Sequence, residues 1–179
     1  MKVLKLNNHV AIVTGGAMGI GGGTARKLAL HGAKVLIVDI EEEEADKNKK
    51  FIEKNGGIAD YLIGDVSSES VAKEMVDISI SKFGRLDIIV QNAYGFSGGG
   101  SAVDIELNDW HKGLDLLIGA LYLGAKYAVP AMKESGISPN FLQNKWEGFG
   151  LRHGPPPKEN IGRIINISSS SSKNMRGNL

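Results

Sequence analysis

The sequence predicts an α/β fold, a doubly wound parallel sheet with helices on both faces. Two observations predict it. Short runs rich in β-branched residues alternate with longer stretches of helical periodicity, the pattern of successive βαβ units. The first of those runs also passes directly into a glycine-rich turn and then a helix.

The strands are expected at residues 9–14, 34–39, 59–64, 86–92 and 163–168, and the helices at 19–31, 42–55, 68–83 and 107–134. Parallel strands joined by helices cross over right-handedly, so ligands are expected at the carboxyl ends of the strands. Two segments break the rhythm. Residues 95–101 read Gly-Phe-Ser-Gly-Gly-Gly-Ser, a loop at the carboxyl end of the fourth strand. Residues 135–160 hold Pro139, Trp146, Phe149 and the triplet Pro155-Pro156-Pro157, which excludes a continuous helix or strand. This second segment reads as a surface insertion or oligomer contact rather than a substrate-binding element. The 179 residues are expected to form a single domain.

Composition narrows the function classes. With 21 basic and 20 acidic residues the formal net charge is +1, so no field draws the chain to nucleic acid or an anionic membrane. The absence of cysteine excludes disulfides, thiolate metal sites and a cysteine nucleophile, and fits a reducing compartment. The first eight residues lack a continuous apolar run, and no other stretch reaches membrane-spanning length free of polar residues. A cytoplasmic protein with a small-molecule substrate is expected, with copies of itself as the other partner.

The glycine-rich turn reads Thr14-Gly15-Gly16-Ala17-Met18-Gly19-Ile20-Gly21. Gly15, Gly19 and Gly21 let the chain turn off the strand, approach a pyrophosphate and open a helix whose first N–H groups face the anion, with Met18 and Ile20 between them. A nucleoside-triphosphate loop would need Lys-Ser/Thr after its last glycine, and Gly22-Gly23-Thr24 stands there instead. The second strand ends in Asp39, next to Ile40. An acidic side chain there accepts hydrogen bonds from the ribose hydroxyls of NAD, and with Glu41 to Glu44 it disfavours the 2′-phosphate of NADP. The same glutamates also suit a helix N-terminus.

Taken in order, Thr14-Gly15-x-x-x-Gly19-x-Gly21, Asp39, Asp65-Val66, Asn92-Ala93 and Asn166-Ile167-Ser168-Ser169 resemble the successive signatures of the short-chain dehydrogenase/reductase family. The resemblance implies a Rossmann-type sheet, a nicotinamide cofactor and an oxidoreductase that moves hydride between an alcohol or ketone carbon and that cofactor. It implies that Asp65 and Val66 hold the adenine and that Asn92 and Ala93 line the nicotinamide side. By the same resemblance Ser169 aligns with the serine that holds the substrate oxygen, with Ser168 as the alternative.

The family's general acid/base is the tyrosine of a Tyr-x-x-x-Lys that follows this serine. No such motif follows in these 179 residues, so the chain is expected to be C-terminally incomplete, truncated after the fifth strand, and inactive as it stands. The alternative is a non-catalytic dinucleotide-binding protein. Tyr122 to Lys126 has the right spacing but lies upstream, so it reads as a packing tyrosine and a snorkelling lysine. Leu117 stands where many family members place a polar asparagine, and Tyr94 where a glycine is usual. The apolar positions of the long fourth helix, Leu114, Leu117, Ile118, Leu121, Tyr122 and Ala125, exceed what one sheet face covers and predict a homo-oligomer.

Overall fold

In a computed structural model of the chain, residues 6–95, 103–137 and 161–168 are described below. Five strands, β1 (Val10–Thr14), β2 (Lys34–Asp39), β3 (Ile58–Ile63), β4 (Ile88–Gln91) and β5 (Arg163–Asn166), form one parallel sheet in the order β3-β2-β1-β4-β5. The helices are α1 (Gly19–Leu30), α2 (Glu42–Lys54), α3 (Glu69–Phe83), α4 (Leu107–Leu114) and α5 (Ala120–Ser135).

Strand alternation divides the core between the two faces of the sheet. Ala11, Val13, Val35, Ile37 and Val90 pack with Ala25 and Ala29 of α1 and Ala45 and Ile52 of α2. On the other face Ile12, Leu36, Val38 and Ile89 pack with Ala72, Met75 and Val76 of α3 and Ala128 and Met132 of α5. Strand order reverses at β1, which lies between β2 and β4, so a crevice opens at the carboxyl ends of β1 and β4. At the opposite end of β4, buried Asp87 accepts from the Val10 N–H at 2.9 Å and from Arg85 through two bonds of 2.8 Å.

The expected strands and helices are all present, with one change of form. The fourth helix is interrupted by a π-helical segment, Asp115–Gly119, between α4 and α5. A π turn inserts a residue per turn and shifts the face presented beyond it. Within the segment Leu116 borders the crevice, while Leu117 is exposed. By length and composition the whole span Leu107–Ser135 is apolar enough to cross a membrane. Its small-residue stripe, Ala120, Gly124, Ala128 and Ala131, is nevertheless buried, and α5 packs against α3 and β4. The serine run from Ser169, most of the glycine-rich loop after Gly95, and residues 138–160 lie outside the described residues.

Candidate nucleotide site

Each element at the crevice delivers one piece of the site. β1 ends in Thr14, whose hydroxyl oxygen accepts from the backbone N–H groups of Asn92 (3.0 Å) and Ala93 (3.1 Å). This ties the turn after β1 to the end of β4. Gly15 then takes φ +60° and Gly19 φ +57°, the left-handed region that disfavours other residues. Gly21 is required for a different reason. A Cβ there would stand 2.0 Å from the Gly15 carbonyl oxygen and 2.4 Å from Asn92 Nδ2, which no rotamer relieves.

Met18 is the N-cap of α1 and supplies no side-chain cap, and the first turn holds no acidic residue. Among the described residues, neither a side-chain cap nor a first-turn carboxylate offsets the partial positive charge of this helix N-terminus. Met18, Gly19 and Ile20 are exposed around it. A backbone cradle too tight for a Cβ, opening an uncapped helix, fits a pyrophosphate.

Asp39 closes β2 beside this turn. Its Oδ2 accepts from the Ala17 N–H at 2.9 Å, and its Oδ1 accepts from Ile40 N–H (2.8 Å) and Glu41 N–H (3.2 Å). Oδ1 thus has both lone pairs engaged, while Oδ2 retains one for a ribose hydroxyl. The acidic run behind it is weaker than its composition suggests. Lys47 pairs with Glu43 at 2.7 Å and Glu44 at 2.8 Å, lowering the Glu43 pKa through the hydrogen bond and raising its own.

A cleft of about 150 Å³ joins Gly15, Asp39, Ile40, Asp65, Val66 and Ala93, with Val38, Tyr94 and Leu116 among its other walls. A hollow of about 270 Å³ shares Asp65, Gly95 and Leu116 with it. Asp65 Oδ1 accepts from Ser67 N–H at 2.9 Å in the turn that leads into α3, and Val66 is buried with the second core face.

Six of the eleven residues expected to bind cofactor thus line one cleft, and Met18, Gly19, Ile20 and Gly21 open the helix next to it. Asn92 differs from expectation in orientation: its amide turns back and donates to the carbonyls of Thr14 and Gly15, both at 3.1 Å. Its role in this arrangement is to shape the turn. Tyr122 and Lys126 of the upstream Tyr122-x-x-x-Lys126 lie on the exposed surface of α5. Tyr122 is 63% exposed, so it is not the packing residue expected, and Lys126 is bound to Glu69 of α3 together with the Tyr127 hydroxyl.

Sequence reasoning missed Thr14 as a structural acceptor and Asn48 altogether. Asn48 is fully buried on α2, at helical spacing from buried Ala45 and Ile52. A polar residue on an apolar stripe was the available signal.

The family model described as short chain dehydrogenase matches residues 9–138. The chain belongs to the short-chain dehydrogenase family. Among curated relatives it is 41% identical over 131 residues to tropinone reductase-like 2 of Erythroxylum coca, covering 72% of this chain and 46% of that protein. It is 36% identical over 155 residues to (+)-borneol dehydrogenase 2 of Salvia officinalis, covering 82% and 53%. The chain spans about half the length of the curated relatives it matches. A solved 7α-hydroxysteroid dehydrogenase, complexed with NADH and 7-oxo glycochenodeoxycholic acid, superimposes with a TM-score of 0.78 at 28% identity. That likeness covers 97% of this chain and 58% of the other. Short-chain dehydrogenases use NAD(P), and the uncapped α1 terminus and its glycine cradle fit that cofactor class.

Proposed function

We infer that this chain binds the nucleotide of a nicotinamide-dependent oxidoreductase whose substrate is a small-molecule alcohol or ketone, with NAD preferred over NADP. The single observation that carries the reading is the close approach of Gly21 to Gly15 at the uncapped start of α1, beside Asp39. Relatives named as a borneol dehydrogenase and a trans-4-hydroxycyclohexanecarboxylate dehydrogenase support an alcohol or ketone as the reacting group.

When bound, the nicotinamide would supply the hydride acceptor or donor. The chain's own residues would do the holding: the turn from Gly15 to Gly21 for the pyrophosphate, with Met18 and Ile20 flanking it, Asp39 and Ile40 for the ribose, and Asp65 and Val66 for the adenine. Ala93 would lie on the nicotinamide side, and Ser169 would hold the substrate oxygen. The protein would work in the cytoplasm as a homo-oligomer.

A second reading, dinucleotide binding without catalysis, is favoured by two observations. The Leu117 side chain in the π segment can neither donate nor accept a hydrogen bond, and Lys126 is engaged by Glu69, which also takes the Tyr127 hydroxyl. On either reading the 179-residue chain binds NADH and reduces ketones poorly, since loss of general acid catalysis alone costs about 10²–10⁴-fold. NADH oxidation measured with a panel of small ketones, in the chain and in Tyr122→Phe, tests this. Turnover near zero in both is expected; robust turnover abolished by Tyr122→Phe in a folded protein would reverse the reading of Tyr122.

A further inference from the structure

We propose that Asn48, on α2, is a positioning residue for the pyrophosphate-binding turn, and that Arg26 sets the orientation of its amide. This rests on the nucleotide reading above and names a residue outside the cleft on which that reading depends.

Asn48 Nδ2 donates to the Gly16 carbonyl at 2.8 Å and lies 3.4 Å from the Gly22 carbonyl. The Gly16 carbonyl and the Ala17 N–H belong to the same peptide unit, which is planar and rigid. The N–H end of that unit is bound by Asp39 Oδ2. One peptide plane in the middle of the turn is therefore clamped at both ends, by Asn48 from α2 and by Asp39 from β2. Asn92 holds the two preceding carbonyls, so every carbonyl from Thr14 to Gly16 is fixed by an asparagine amide. Rotation of the Gly16–Ala17 plane would turn the chain that leads into the α1 N-terminus, where the anion is expected.

The amide could in principle sit either way round. Arg26 decides it: its Nε donates to Asn48 Oδ1 at 2.6 Å, so the oxygen faces Arg26 and the NH₂ faces Gly16. The guanidinium in turn stacks over the Phe51 ring, 4.6 Å from its centroid, which limits its freedom on an otherwise exposed helix surface. Gly22 completes the fit. A Cβ at that position would lie 3.0 Å from the Ala17 carbonyl oxygen and 3.4 Å from Asn48 Nδ2. An apolar residue at 48 would suit the stripe with Ala45 and Ile52, but it would leave the Gly16 carbonyl buried without a donor.

The test compares ADP with adenosine as ligands, by calorimetric titration, in the protein and three variants. Asn48→Asp keeps the shape and the Arg26 contact but replaces the donor facing Gly16 with an acceptor. It is expected to weaken ADP about tenfold and adenosine less than twofold. Arg26→Ala, at an exposed position that leaves the fold intact, is expected to weaken ADP about threefold with adenosine unchanged. Ile52→Val thins the same helix packing without touching Gly16, and should lower the melting temperature while leaving the ADP-to-adenosine ratio as it was. An unchanged ratio in folded Asn48→Asp overturns the proposal; if that variant does not fold, an unchanged ratio in Arg26→Ala overturns it instead. Equal loss for both ligands also overturns it, since that reports general loosening. A folded, unmodified protein that binds neither ligand overturns the nucleotide reading itself.

Discussion

The carboxylate of Asp39 accepts a hydrogen bond from the Ala17 N–H at 2.9 Å, so the residue proposed to select the ribose also pins the glycine-rich turn. Removing it has two effects of opposite kind. Repulsion of a 2′-phosphate falls, and the turn loosens. Asp39→Ala should therefore weaken NADH more than it strengthens NADPH, narrowing the preference by about 1–3 kcal/mol. Titration of both cofactors checks this, and equal affinities in the unmodified protein contradict the assignment of NAD.

That double role was not legible in the sequence, although much around it was. The strands announce themselves through β-branched runs such as Val35 to Val38, and the turn through Gly15, Gly19 and Gly21. Side-chain direction is a different matter. Asn92 occupies the expected position, yet its amide serves the Thr14 and Gly15 carbonyls, because a tight turn leaves those groups in need of donors. The π segment at Asp115–Gly119 has no local signature either, since a Leu-rich run suits α and π geometry alike. Lys47 neutralises two of the glutamates after Asp39 from one turn further along, a pairing that a count of charges hides.

Adjacent glycines in α1 should behave oppositely. A Cβ at Gly23 meets nothing within 4 Å, whereas one at Gly22 meets Ala17 backbone at 3.0 Å. Gly23→Ala should stabilise the protein by about 0.5–1 kcal/mol through the lower entropy cost of helix formation. Gly22→Ala should lose that gain or reverse it. Urea unfolding of both variants measures the difference; equal stabilisation would contradict the tight packing seen at Gly22.

Self-association should use the face of α4 and α5 that turns away from the sheet. Trp110, Leu114, Leu117, Ile118 and Tyr122 are exposed there at helical spacing, while Leu121 and Ala125 are half-buried. Sedimentation should show a dimer or larger species that Ile118→Glu dissociates. A strictly monomeric species at high concentration contradicts this.

The tie between α3 and α5 should depend on pH. Glu69 accepts from Lys126 and from the Tyr127 hydroxyl, and the Lys126 hydrogen bond, followed by that of Tyr127, holds its pKa below the usual 4.5. A depressed carboxylate contributes stability that is present above its unfolded pKa and lost as pH falls through the folded one. The Glu69→Gln variant should therefore lose stability near neutral pH and converge with the parent protein below the carboxylate range. Because the group lies at the surface, the effect should be small and shrink with salt. Thermal melts between neutral pH and pH ~3 follow it, and a constant gap across that range contradicts the tie.

The most direct test is an NADH titration by cofactor fluorescence, comparing the protein with Gly21→Ala. The added methyl group would lie 2.0 Å from the Gly15 carbonyl oxygen, within the turn proposed to hold the pyrophosphate. Saturable binding that falls by at least about tenfold in a folded Gly21→Ala variant is the predicted result, an energy near that of one charge-assisted hydrogen bond. No saturable binding to the unmodified protein, or equal binding to both, would contradict the assignment of this crevice as the nucleotide site.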